Sequence, residues 1–585
     1  MTRIAIIQKD KCNPIGCGNF LCIRVCPINK MGEECIIKGD DGKPHINEEL
    51  CTGCSICPHR CPFDAISIIN LPEELDKPPI HKYDDNGFHL YSLPTPIFGK
   101  VVGIVGVNGI GKSTAIKILA GILEPNLGNI GSKTGYDKLI NYFKGTEAQN
   151  FFEKVKNKKI IISYKPQHVD LIPKQIKGKV KDLLKKIDEK NKLKDIVNEL
   201  GIENILDNDI TKVSGGELQR IAIAACVLKK ANLYIFDEPS SYLDIKQRLK
   251  IAKFIKTLAD EDTSVIVIEH DLIVMDYMAD LTHIMYGKEG CYGVVSQLKA
   301  SKAGINSYLE GYLKEDNIRF RDHKIRFETR PPTKKEKDNA LTNWTEMEKN
   351  LGRFKLKTTK GQINKNEIIG IIGENGIGKT SFVKLLAGVE KPDIGKMDSK
   401  ITVSYKPQSL EGDSNELVMV VLQDAIKTHT KDIINPLTIK DLYMKKLSEL
   451  SGGELQRVAI ALALSKNCKL CLLDEPSAYL DVEQRLIVSK IIKNIAETKG
   501  ISILVVDHDL LFIDYLSNRL IVFEGKPAIN GTEKGPFSME EGMNSLLKEV
   551  GISLRRDQES GRPRINKPGS VKDRDQKSNG KYYYG

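Results

Sequence analysis

The stretch GVNGIGKSTAIKILAG at residues 106–121 returns as GENGIGKTSFVKLLAG at residues 373–388. Each opens on the pattern G-x4-G-K-[ST]. An apolar run (VVGIV or IIGII) that reads as a buried strand comes before it, and a helical pattern follows. Strand, glycine turn and helix in that order make a phosphate-binding loop. The glycines let consecutive backbone N–H groups face a phosphate at the positive end of the new helix. The first loop offers Gly106, Asn108, Gly109, Gly111, Lys112, Ser113 and Thr114; the second offers Gly373, Asn375, Gly376, Gly378, Lys379, Thr380 and Ser381. Lys112 and Lys379 should reach the β- and γ-phosphates of ATP, and Ser113 and Thr380 should hold Mg²⁺.

The repetition continues downstream. YKPQ ends at Gln167 and again at Gln408, SGGELQR starts at Ser214 and Ser451, and FDEPSSYLD (236–244) matches LDEPSAYLD (473–481). IEHDL and VDHDL carry His270 and His508. Four motif pairs in one order mean two copies of one α/β domain. Ser214 and Ser451 are 237 residues apart, as are Glu238 and Glu475, whereas Lys112 and Lys379 are 267 apart. Most of the excess lies before Gln167, so the first copy carries an insertion around 130–160. Tyr136, Leu139 and Phe143, then Phe151, Phe152 and Val155, have helical spacing on either side of KGTE. The spacing predicts a helix–turn–helix hairpin with Thr146 as a cap. For an arbitrary loop, decoration of the surface is the simpler reading.

The strands LYIFDE and LCLLDE end in Asp237–Glu238 and Asp474–Glu475. The aspartate suits Mg²⁺ bound through water, and the glutamate is the candidate base that polarises the attacking water. His270 and His508 follow further apolar runs. One such histidine is more often structural, but two at matched places point to γ-phosphate contact. Gln167 and Gln408 are placed to sense the metal or the water.

Nine of the thirteen cysteines lie within residues 12–61. Without a secretory signal, a metal site explains such a cluster better than disulfides do. The second run, Cys51-x2-Cys54-x2-Cys57-x3-Cys61-Pro62, has the spacing of bacterial-type 4Fe–4S ferredoxins. The first run, Cys12-x4-Cys17-x4-Cys22-x3-Cys26-Pro27, is looser. That resemblance implies two 4Fe–4S clusters, one on Cys12, Cys17, Cys22 and Cys61 and one on Cys51, Cys54, Cys57 and Cys26. Two structural zinc sites are the alternative. Cys35 lies outside both runs and reads as a small buried apolar residue.

At SGGELQR the chain resembles the ATP-binding-cassette (ABC) family, whose signature is LSGGQ-like. The resemblance implies cassettes arranged head to tail, each signature capping the nucleotide held by the other. The Lys112 loop would face Ser451, Gly452, Gly453 and Glu454. The Lys379 loop would face Ser214, Gly215, Gly216 and Glu217. Val213 stands where leucine is usual. It also implies an aromatic stacked on adenine: Tyr83 or Phe88 for the first copy, Trp344 or Phe354 for the second, each equally able to be core.

A two-cluster ferredoxin, tandem cassettes without a membrane segment and the tail GRPRINKPGSVKDRDQKS (561–578) together resemble the ABC-E class, the RNase L inhibitor-type ribosome-recycling ATPases. The fold implied is two tandem α/β P-loop domains behind an α+β ferredoxin-like module. The activity implied is ATP hydrolysis that splits ribosomes after termination or rescue. The partners implied are the ribosome, chiefly its small subunit and RNA, a peptide-release or Pelota-like factor, and possible initiation factors. A cytoplasmic monomer without a membrane partner follows, and the insertion becomes a ribosome contact. The paired ATPase of an importer, an ABC-F-type translation factor and an iron–sulfur redox enzyme are the rival readings.

Domain edges are expected at 1–75, 76–310, 311–337, 338–535 and 536–585. The composition, 41% hydrophobic and 28% charged over 585 residues, suits a folded multidomain protein and excludes overall disorder. No apolar run reaches the length of a spanning helix, and the N-terminus lacks a signal peptide. The net charge is +11. Residues 319–337 and 555–581 each carry +5. These hinge segments are expected to clamp the cassettes and to meet RNA phosphates.

Overall fold

The computed structural model describes residues 3–70, 78–131, 134–327, 340–396, 401–408 and 414–584. They form two compact units. One is drawn from residues 1–239, 255–269 and 279–323, the other from 240–254, 270–278 and 324–585.

In the first unit the cysteine module pairs Arg3–Ile7 antiparallel with Ile66–Asn70 and adds the hairpin Ile36–Lys38/Pro44–Ile46. Two short helices, Leu21–Val25 and Ile56–Arg60, pack together and carry Cys22 and Cys57 inward. The buried Asn86 of the first repeat stitches the module down. Its amide donates to the carbonyls of Ala5 and Ile46, 3.0 Å each, and its Oδ1 accepts from Ile46 N at 2.8 Å. Paired buried amides of this kind leave no polar atom unsatisfied.

Each repeat is a mixed sheet built in one order. In the first repeat Leu281–Lys288, Val101–Val105, Ser264–Ile268, Leu233–Asp237 and Ile162–Lys165 run parallel, with Tyr292–Val295 antiparallel on one flank. The second repeat matches it with Arg519–Lys526, Ile368–Ile372, Ser502–Val506, Leu470–Asp474 and Val403–Lys406, flanked by Asn530–Ser538. The three central strands of each sheet are buried along their whole length, which is why they read as unbroken apolar runs. The carboxyl ends of three adjacent parallel strands therefore deliver the glycine loop, the histidine and the Asp–Glu pair to one edge, where open α/β sheets bind ligands.

The insertion is a helical hairpin, Tyr136–Tyr142 and Glu147–Lys156. Leu139, Phe151 and Phe152 join the same core as Ile116 and Leu119 of the loop helix, so the hairpin is packed into the first repeat. Thr146 does not cap as expected. It holds the cap position, but its hydroxyl donates backwards to Phe143 O at 2.7 Å, and Gln149 Oε1 accepts from Gly145 N instead.

One expected domain edge changes. The edge at 535 falls inside the strand Asn530–Ser538, and the next helix, Met539–Val550, packs on the second sheet as Ser301–Glu310 packs on the first. The second repeat therefore runs to about residue 550. The basic linker at 311–337 begins with a small hairpin, Tyr312–Leu313/Ile318–Arg319; its residues 328–337 lie outside the described residues.

The second unit also holds the tail. Asp276 and Asp514 occupy matching places on the helices Leu272–Met278 and Leu510–Leu516. Arg562 and Arg564 donate to Asp276, at 3.2 Å and at 2.5 and 3.0 Å. Arg556 pairs with Asp514 at 3.7 Å, and the hydroxyls of Tyr583 and Tyr584 also donate to it. Arg562 is fully buried, whereas Lys567, Lys572, Arg574 and Lys581 are exposed. Part of the tail's positive charge is therefore spent inside the molecule, on Asp276 and Asp514. Among the described residues no helix is long and apolar enough to cross a membrane.

Candidate active site

Both loops turn into their helices at a glycine with positive φ, 86° at Gly111 and 95° at Gly378. A Cβ at Gly111 would lie 2.6 Å from the Phe88 ring, and one at Gly378 would lie 3.0 Å from the Phe354 ring. Glycine is thus required by conformation and by space. The lysines are buried and curl onto their own loops. Lys112 Nζ donates to Gly106 O (2.9 Å) and Val107 O (2.7 Å), and Lys379 Nζ to Gly373 O (2.9 Å) and Glu374 O (2.6 Å). Burial pulls Lys379 down to about 8. An anion drawn into the loop would favour its charged form.

Thr380 Oγ1 donates to Asp474 Oδ2 at 2.9 Å, and Ser113 hydrogen-bonds Asp237 in the same way. Burial and the neighbouring Glu238 push Asp237 up to about 6, and burial raises Asp474 as well. Asp237 Oδ1 is buried without a hydrogen-bond partner. A hydroxyl beside a carboxylate that gains from a positive charge is the donor set expected of a Mg²⁺ position.

Glu238 and Glu475 adopt left-handed backbone conformations, φ 48° and 47°, uncommon for glutamate and a form of strain that clusters at functional sites. The structure shows how it is held. Gln219 and Gln456, from the two SGGELQR segments, donate to the carbonyls of Glu238 and Glu475 at 2.6 and 2.7 Å. The buried Lys165 donates to Asp237 O and Glu238 O, and the buried Lys406 to Asp474 O. The glutamate side chains are held by the expected glutamines: Gln167 Nε2 to Glu238 Oε1 and Gln408 Nε2 to Glu475 Oε1, 2.7 Å each. Burial with Asp507 and Asp474 nearby raises Glu475. Lys165, Lys406, Gln219 and Gln456 were missed in the sequence, although each sits inside a duplicated motif (YKPQ, SGGELQR), which was the available signal.

His508 is buried with both ring nitrogens unpartnered, Nε2 3.7 Å from Glu475 Oε1. Burial, with Lys379 and Arg248 nearby, drives it far below the usual histidine range, so the ring is neutral. An orphaned, buried ring beside the base suits an oxygen-rich ligand. His270 occupies the matched place in the chain and is also buried.

The signature serines cap their helices. Ser214 and Glu217, and Ser451 and Glu454, form reciprocal capping boxes. Glu217 and Glu454 thus position the serines. Gly215, Gly216, Gly452 and Gly453 form the first turns of these helices. From the first repeat, Asp244 Oδ2 accepts from Asn375 N at 3.1 Å, and the carbonyl of Tyr242 accepts from the Asn375 side chain at 3.3 Å.

Trp344 cannot stack on a base: it is 1% exposed, packed edge-on against Phe382 and over Gly361. Its place upstream of the loop, which marked it as a candidate, does not say which way the ring faces. Tyr83 is 41% exposed, with its hydroxyl 3.4 Å from Thr114 Oγ1. Matching Phe88 with Phe354 by strand register places Leu351 where Tyr83 stands. Ser381 follows Thr380 in the second loop helix as Thr114 follows Ser113 in the first.

In the cysteine module, Cys12, Cys17 and Cys61 lie near Cys22, and Cys51, Cys26 and Cys54 near Cys57, which also lies near Cys22. Burial pushes Cys22 up to about 11 and Cys57 to about 12. Among the described residues no three His, Cys, Asp or Glu are grouped closely enough to hold a metal ion as they stand. Cys35 is buried within hydrogen-bonding reach of Cys26 and Cys51.

Family models agree with this arrangement. The ABC transporter model matches residues 98–241 and 356–478, and the model of a possible Fer4-like domain in RNase L inhibitor matches residues 2–34. An ABC transporter ATP-binding protein of Methanocaldococcus jannaschii is 52% identical over all of this chain and 97% of its own length. Translation initiation factor RLI1 of Saccharomyces cerevisiae is 44% identical over 100% and 98%. Among solved structures, the ribosome-bound archaeal Pelota and ABCE1 model aligns with TM-score 0.94 and 53% identity over 100% of this chain and 99% of that one. The chain belongs to the ABC-E (RNase L inhibitor) family. A crystal structure of an archaeal ABCE1 ribosome recycling factor with the stalk protein aP1 aligns with TM-score 0.82, at 52% identity over 87% of this chain and 99% of that one. This ABC-E chain is accordingly an ABC-type ATPase with two cassettes and an N-terminal Fer4-like module, a fold whose groups are ATP and an iron–sulfur centre.

Proposed function

We propose that this chain is an ATP-driven ribosome-recycling factor. ATP held by both cassettes would draw them together, and that motion, carried through the cysteine module, would separate the ribosomal subunits after termination or rescue. The single observation that carries the ribosomal part is the full-length likeness, at 53% identity, to a ribosome-bound relative. The hydrolytic part rests on the two Gln–Glu pairs and their strained glutamates.

In this reading Glu238 and Glu475 orient and deprotonate water, Gln167 and Gln408 hold those carboxylates until nucleotide arrives, and His270 and His508 contact the γ-phosphate. Lys112 and Lys379 exchange loop carbonyls for phosphate oxygens. Ser113 with Asp237, and Thr380 with Asp474, would hold Mg²⁺, which when bound neutralises developing phosphate charge. Gly106, Asn108, Gly109, Gly111, Gly373, Asn375, Gly376 and Gly378 line the phosphates. The signatures at Ser214 and Ser451 cap the opposite nucleotide. Tyr83 stacks on adenine in the first site and Phe354 replaces Trp344 as the candidate in the second.

The two four-cysteine runs, each ending in Cys-Pro, suit two 4Fe–4S clusters better than two zinc ions, which are commonly held by paired C-x2–4-C knuckles. Bound clusters would make the small module rigid enough to transmit force. The partners in this reading are the ribosome, chiefly its small subunit, a release or Pelota-like factor, and initiation factors. The protein would act as a cytoplasmic monomer. The domains would run 1–75, 76–310, 311–337, 338 to about 550, and a hinge tail beyond. ATP moves the open–closed equilibrium only through its different affinity for the two states.

The test is a sucrose-gradient assay of ribosomes with the protein, a release factor and either ATP or a non-hydrolysable analogue. Subunits should accumulate with ATP, and the protein should stay on the small subunit with the analogue. Intact ribosomes under both conditions would overturn the reading.

A further inference from the structure

Residues 174–194 of the first repeat hold nine lysines and three acidic residues, a net +6. Eight of the lysines are exposed, among them Lys177, Lys181, Lys185 and Lys186. The helix Val180–Ile187 packs on the helix Gly215–Leu228 and buries Val180 and Leu184, so Lys181 and Lys185, one turn apart, share its outer face. Nearby carboxylates are spent on the backbone. Asp188 accepts from the amides of Lys190, Lys192 and Leu193 at 3.3, 3.2 and 3.1 Å, and Glu189 from that of Lys230 at 2.8 Å. The lysine charge on this face is thus left facing solvent.

The fold does not require that charge. Val180 N donates to Asn208 O and Lys181 N to Leu206 O, as Val418 N donates to Lys445 O and Met419 N to Tyr443 O in the second repeat. By this match residues 412–432 are the equivalent segment, with two lysines and four acidic residues, a net −2. Met419, Gln423 and Asp424 stand in place of Lys181, Lys185 and Lys186. Protein interfaces are built round apolar anchors and are poor in lysine, whereas the helix Val180–Ile187 exposes no large apolar side chain. Lysine without apolar anchors is the composition that grips phosphates.

We propose that this lysine face of the first repeat is an RNA-binding surface that holds the phosphate backbone, additional to the insertion and the basic hinges. It rests on the ribosomal reading for the choice of RNA as the polyanion. Lysine–phosphate contact carries no base sequence, so the face supplies affinity and salt sensitivity without specificity.

The test uses the full chain and a fluorescein-labelled RNA hairpin, with no ribosome or release factor, so it and the ribosomal reading can fail separately. Binding is followed by fluorescence anisotropy over a series of KCl concentrations. The triple variant Lys181→Gln, Lys185→Gln and Lys186→Gln should bind about tenfold more weakly, and its slope of log affinity against log salt should be shallower by about two. A control, Lys427→Gln, Lys431→Gln and Lys440→Gln, removes the same charge from exposed lysines of the second repeat and should leave both quantities unchanged. Both variants should keep wild-type ATP turnover, which shows that they fold. An unchanged slope in the first variant, or an equal loss in the control, would overturn the proposal. Displacement of the hairpin by polyglutamate at equal charge would overturn it too, by making the face a dock for acidic protein.

Discussion

The two nucleotide loops share a sequence pattern and a backbone turn, yet their surroundings differ. The first loop has an exposed tyrosine at its rim where the second has Leu351. It also shares its core with the inserted helical hairpin. Duplicated motifs therefore do not make duplicated sites. The chemistry is set by residues inside the motifs, and the environment by whatever packs on them.

The strongest way to break this comparison is to remove the bases. Glu238→Gln with Glu475→Gln should lower ATP turnover by about 10²–10³-fold while ATP binding survives. Each single variant should leave activity from the other site, and unequal single-variant rates would sharpen the asymmetry. Wild-type turnover in the double variant would remove both glutamates from the base role.

The next largest effect concerns the tail. Asp276→Asn leaves the fully buried Arg562 without its carboxylate and should cost about 3 kcal/mol in urea unfolding of the full chain. Asp514→Asn should cost about 1 kcal/mol, because Arg556 is partly exposed and an amide oxygen can still accept from both tyrosines. Equal losses would mean that the matching aspartates anchor the tail equivalently.

A pH experiment separates a metal-dependent carboxylate from an ordinary one. Asp237 is raised from 3.8 to about 6 in the folded chain, so the folded state binds more protons than the unfolded one. Its contribution to nucleotide-free stability is full below pH ~4 and is lost as pH rises through about 6. Wild type should therefore lose stability relative to Asp237→Asn across that window, by no more than about 3 kcal/mol. Thermal melts of both proteins from pH 4 to 7 would check this, and parallel curves would contradict it. Magnesium and nucleotide should erase the difference in the wild type.

The smallest effect is at the rim. Tyr83→Ala should weaken ATP binding at the first loop by about five- to tenfold, the worth of one stacking contact. Leu351→Ala should leave the second loop unchanged. Titration of a fluorescent ATP analogue, with the opposite loop's lysine replaced by alanine, measures each site alone. Equal losses at both sites would contradict the register match.

Much of the site was legible because its residues sit next to each other in the chain. A glycine loop, a strand ending in Asp–Glu and a histidine after a strand are local patterns, and repetition made each one credible. The errors share a physical cause. Trp344 and Tyr83 both precede a loop, and hydrophobicity does not say which ring faces the core. Thr146 has the right residue type for a cap, but its hydroxyl is drawn back to the carbonyl of Phe143. The expected edge at 535 followed a change in composition, whereas the strand Asn530–Ser538 continues through it to complete a sheet.

The sequence by itself determined the two phosphate loops, the cysteine register and the duplication, because those depend on residue identity at short spacing. Only the tertiary structure decided what each motif leans on. Gln167 meets Glu238 across 71 residues, and Arg562 meets Asp276 across 286. Burial makes such distant partners obligatory: a buried carboxylate or guanidinium must be paired wherever the chain can bring a partner, and no local pattern records which one arrives.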